Sequence, residues 1–135
     1  MPAPEHCTCH GVFAPLGHVV VSFPTDGELD AARRALAGQG FPADRLGHYE
    51  PAEMLEQAES DLAQVSPIAA FGSDPGLVRM HKVLAEHGHH FLVVPAAGRE
   101  EARRVADTVR AHRAGAAQHY GAFAIEELIE PAGPA

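Results

Sequence analysis

Residues 18–28 read HVVVSFPTDGE, and this stretch decides the fold. His18 to Phe23 is β-branched and apolar, which suits a buried strand. Thr25-Asp26-Gly27-Glu28 then matches a capping box, with Thr25 accepting from the backbone while Glu28 reaches back. The helix it opens carries Leu29, Ala32, Ala35 and Leu36 on one face and stops at Gly38 and Gly40. A short second strand follows over residues 45–49. The same plan returns near the other end of the chain. Residues 91–94 (FLVV) form a second strong strand that Pro95 stops. Gly98 leads into a helix with Ala102, Val105, Ala106 and Val109 at i, i+3, i+4 and i+7. Gly115 ends that helix, and a last strand runs from Ala116 to Tyr120 and on toward Ile125.

Between the two units lie two further helical patterns. Pro51 fits the first turn of one, with Met54, Leu55, Ala58, Leu62 and Val65 at helical spacing until Ser66-Pro67. A brief apolar run, 68–71, precedes the turn Gly72-Ser73-Asp74-Pro75-Gly76. The next helix, over 75–87, points Leu77, Leu84 and either Met80 or His81 inward, and Gly88 closes it. The expected fold is therefore α+β. It is a ferredoxin-like two-layer sandwich of four antiparallel strands with helices on one face and two extra helices inserted between its β-α-β halves. Residues 1–17 form an irregular arm, 18–130 a single domain and 131–135 a tail.

The stretches HVVVSFPTDGELDAARRALAGQGFPADRLGHY and LAEHGHHFLVVPAAGREEARRVADTVRAHRAGAAQHY resemble the bacterial general-stress-protein domain of the heat-induced type. The resemblance covers about half the chain and rests on small-residue patterning. It implies a ferredoxin-like fold and a stress role, and it supplies no catalytic residues. The two clear helices in the middle depart from that family, whose members often have a Gly-rich apolar stretch there.

Composition narrows the function. The chain has 135 residues, a net charge of −8, 46% apolar and 21% charged residues, which fits one ordinary globular domain. An acidic chain without a Lys/Arg run is a poor partner for nucleic acid. No apolar run approaches the roughly 20 residues that span a membrane, and the N-terminus shows no targeting signal. Cys7 and Cys9, one residue apart, are poor disulfide partners, so a reducing, cytoplasmic setting is expected.

The chemically distinctive residues are soft metal ligands. His6-Cys7-Thr8-Cys9-His10 offers four in five residues. His18, His48, His89, His90 and His119 recur in or beside the strands. If the first and third strands run parallel at the sheet centre, all of these gather at one edge, with His87 and His112 at helix ends beside them; of the ten histidines only His81 falls elsewhere. Such a set suits zinc or copper. The spacing C-x-C is tighter than the usual C-x₂₋₄-C of zinc sites, so arm residues would need partners from the fold. The expected function is a small metal-binding buffer, sensor or carrier using His6, Cys7, Cys9, His10, His18, His48, His89, His90 and His119. One alternative is a homodimeric, ligand-binding or regulatory ferredoxin-like module without metal. The other is a small enzyme of unknown reaction, which the sequence supports least: no serine sits in a Gly-x-Ser-x-Gly context, and a cysteine on an irregular arm lacks fixed geometry.

Overall fold

The structure, a computed structural model, describes residues 16–63, 75–121 and 124–131, with the backbone of residues 8–9 and 12–13. Two short strands, β1 (Thr8–Cys9) and β2 (Val12–Phe13), form a hairpin. The main body follows as β3 (His18–Phe23), α1 (Asp26–Gly38), β4 (Gly47–Tyr49), α2 (Pro51–Ala63), α3 (Pro75–Glu86), β5 (His90–Pro95), α4 (Arg99–Arg110), β6 (Ala116–Tyr120) and β7 (Ile125–Ile129). The expected strands and helices are present, and the inserted pair is α2 and α3. The second part of the last strand is separate: β7 turns back on β6 and gives the sheet a fifth strand. Val65 and the apolar run at 68–71 lie outside the described residues.

Thr25 caps α1 as its sequence predicts. Its hydroxyl accepts from the Glu28 N–H at 3.2 Å and donates to the Glu28 carboxylate at 3.0 Å, so Glu28 reaches the hydroxyl of Thr25. At the other end Gly40 adopts φ +98°, and the Phe41 N–H returns to the Leu36 carbonyl. Gly88, at φ +84°, does the same for α3, sending the His89 N–H to Leu84 O. Left-handed backbone of this kind favours glycine.

Strand order is β4-β5-β3-β6-β7, and every neighbouring pair is antiparallel. This corrects the expected strand directions. The first and third main strands, β3 and β5, are antiparallel, with His18 opposite Pro95 and Phe23 opposite His90. A strand-helix-strand crossover returns its second strand parallel to its first, so the parallel pairs are β3 with β4 and β5 with β6. Interleaving two such units in opposite senses makes each neighbouring pair antiparallel.

Alternation along the strands supplies two cores. Val19, Val21, Phe23, Leu92, Val94 and Ala117 pack against Leu29, Ala32 and Leu36 of α1 and Ala102, Val105 and Val109 of α4. Val20, Tyr49, Phe91, Val93 and Tyr120 face the other way, toward Met54 of α2 and Leu77 and Ala85 of α3. The inserted helices thus cover the face that α1 and α4 leave open. Among the described residues no helix is long and apolar enough to cross a membrane.

Candidate metal centre

The strand directions divide the histidines. The edge where β3 and β4 end and β5 begins holds His48, His89 and His90. His18 and His119 lie at the opposite edge, beside Pro95 and Val19. The expectation of one shared edge is therefore corrected. Each histidine at the far edge also has a local partner: His18 Nδ1 lies 2.9 Å from Leu16 O, and His119 Nε2 lies 2.9 Å from Ala96 O. His6, Cys7 and His10 lie outside the described residues. The backbone of Cys9 pairs with Val12, and β2 contacts α2, which covers the sheet face opposite α1.

Two of the expected ligands do meet. His48 stands opposite Leu92, and His90 lies two residues before Leu92 on β5. The two side chains therefore occupy diagonal positions on the α1 face. His48 Nε2 is 3.4 Å from His90 Nδ1, with ring centroids 5.6 Å apart and planes tilted by 36°. His90 also pairs with Phe23, and from Phe23 the chain turns directly into α1. That turn places Asp26, the first residue of α1, with Oδ1 3.9 Å from His90 Nδ1. One ligand atom from each of Asp26, His48 and His90 lies within 4.8 Å of the other two.

The electrostatics keep the His48 lone pair available. Burial and the neighbouring His90 push His48 below the ordinary histidine range, while Asp26 opposes the shift. At neutral pH His48 is the uncharged imidazole that a metal needs. Asp30, one turn along α1, is already engaged: it hydrogen-bonds Arg33, pairs with Arg34 at 2.8 Å and is held below the usual carboxylate range chiefly by Arg33. Asp26 is the more exposed acid, its side chain 69% accessible, and has room to swing toward the two rings.

The spacing can be compared with what an ion requires. Bonds of about 2.0–2.1 Å at tetrahedral angles separate two ligand nitrogens by roughly 3.3 Å, against the 3.4 Å observed between the rings. The Asp26 oxygen, 3.9 Å from His90 Nδ1, lies beyond this spacing and would have to move inward to bind the same ion. Three protein ligands leave a fourth position for water or another small ligand.

His89 does not join this group. Its side chain lies against Gly115, and burial, then His87, push it below the ordinary histidine range. Asp26 is the residue the sequence reading missed, because only His and Cys were weighed as ligands. Its signal was present: an acid placed directly after a helix cap, where a strand delivers the chain to the sheet edge. No family model, curated protein or solved structure matches this chain.

Proposed function

We propose that the protein is a small metal-binding protein whose site is Asp26, His48 and His90, with the His6-Cys7-Thr8-Cys9-His10 arm dispensable. The observation that carries this reading is the 3.4 Å approach of His48 Nε2 to His90 Nδ1. Two imidazoles and a carboxylate with an open position suit zinc first and copper(II) next. The ion would be held by His48 and His90 from adjacent strands and by Asp26 from the start of α1, in keeping with a buffer, sensor or carrier. The interleaved β-α-β units support the ferredoxin-like reading of the fold, enlarged by α2, α3 and β7. The pair Cys7 and Cys9 supports a reducing compartment.

Cobalt(II) titration followed by visible absorption tests the site, with elemental analysis of protein purified without chelator. The parent and the Cys7→Ser/Cys9→Ser variant are expected to bind one ion with similar affinity. His48→Ala and His90→Ala should each lose at least about tenfold, since even outer-shell changes cost 10–100-fold. Binding lost in the cysteine variant and kept in both histidine variants would overturn the assignment.

A further inference from the structure

The group of Asp26, His48 and His90 stands at the surface. The Asp26 side chain is 69% accessible, against 19% for His90, and its neighbours Pro24, Thr25 and Gly27 are exposed. Among the described residues a Cβ at Gly27 would meet only the Thr25 hydroxyl, at 4.0 Å. The start of α1 is therefore open on that side. Among the described residues the group holds three ligands, so a fourth has to arrive from solvent, and the way past Asp26 admits it.

Charge selects what that ligand is. A divalent ion held by one carboxylate and two neutral imidazoles carries one net positive charge, and a bound ion is often the largest local charge in its site. The neighbouring charges leave it uncompensated. Glu28 accepts from the Thr25 hydroxyl and faces Arg113 at 3.8 Å. Asp30 is shared by Arg33 and Arg34, which leaves one guanidinium in excess. Arg33 and Glu50 both lie within electrostatic reach of His48, on which they act with opposite sign, so Glu50 offsets that excess. The charge of the ion itself remains. In addition α1 begins at Asp26, and the positive end of a helix dipole favours a negative group.

We infer that the fourth position on an ion held by Asp26, His48 and His90 takes a small free monoanion, such as a carboxylate, in exchange for water; this rests on the metal-binding reading above. The exchange breaks one metal–water bond and forms one metal–anion bond, and the three protein ligands stay in place. A neutral ligand leaves the positive charge standing, and an ammonium group adds to it and has no lone pair to give. One negative charge closes the balance. The site is thus a receptor for anions that is switched on by its metal, which goes beyond storage of the ion.

Azide, a monoanion that alters the visible bands of cobalt(II), tests this on the full chain loaded with cobalt in chloride-free buffer. The parent spectrum should respond saturably. Arg33→Gln should weaken azide binding on the order of threefold, and Glu50→Gln should strengthen it by a like factor, as for one charge removed near the site. Both variants should shift cobalt affinity the opposite way, because a cation and an anion feel the same charge with opposite sign. A cobalt-loaded parent whose spectrum azide leaves unchanged overturns the anion proposal while the metal site stands. Equal azide affinity in parent and both variants also overturns it, since charge would then not select the ligand. A parent that takes up no cobalt removes the metal site, and the proposal with it.

Discussion

His81 shows how much one side chain can decide. The helical period of α3 allows either Met80 or His81 to point inward, and hydropathy favours methionine. The structure buries His81 to 3% exposure, because Gln118 on β6 offers Oε1 at 3.1 Å and Phe91 offers a ring. Burial pushes its pKa down, against the hydrogen bond to Gln118, which acts the other way. The sign follows from linkage. A histidine with a folded pKa below its unfolded value binds its proton more readily when unfolded. Its contribution is complete above the unfolded value of about 6.5 and is lost as pH falls below that. Urea unfolding at pH 7.5, 6.5 and 5.5 should therefore show stability falling in acid. His81→Gln, which keeps an amide donor and does not titrate, should show a shallower fall. The slope should persist in part, because His48 and His89 are also held below the ordinary range. Parallel curves for parent and variant would remove His81 from the account.

At the scale of elements, α1 links the fold to the candidate site. Thr25 satisfies the Glu28 N–H, and truncating such a cap costs about 1 kcal/mol. Thr25→Ala is expected to lose about that much in chemical unfolding. It should also weaken cobalt binding modestly, because Asp26 is the next residue and its position depends on where the helix starts. Unchanged cobalt affinity would mean that Asp26 is placed by something other than the cap. The elements themselves were legible, since short apolar, β-branched runs and a period of 3.6 separate cleanly at residues 18–36 and 91–109. Strand direction was not: local pattern says where a strand lies, whereas its sense depends on how two crossovers interleave. That single point moved His18 and His119 away from His48 and His90. The β6–β7 reversal was also hidden, because in Gly121-Ala122-Phe123-Ala124 a single glycine is the sole turn signal, with no Asn, Asp or Pro beside it. Its closure, the Gly121 N–H to Ala124 O at 3.0 Å, appears only with the strands in place.

Across the whole molecule the candidate site joins the two β-α-β units. Asp26 and His48 come from the first unit and His90 from the second, and among the described residues β4 meets the rest of the sheet only through β5. An ion held by all three residues would tie the short edge strand and the start of α1 to the second unit. Unfolding scatters these ligands, so binding to the folded state must raise its stability by mass action. At free zinc 100-fold above Kd the gain is about 2.7 kcal/mol, on the order of 10 °C in Tm for a domain of this size. A calorimetric scan should show that rise, lose it with chelator, and lose it again in acid, where protons compete with the metal for its ligands. His90→Ala should melt at one temperature with or without zinc. An equal zinc-dependent rise in that variant would mean that the stabilising ion sits elsewhere, with the amino-terminal Cys7 and Cys9 as the next ligands to replace.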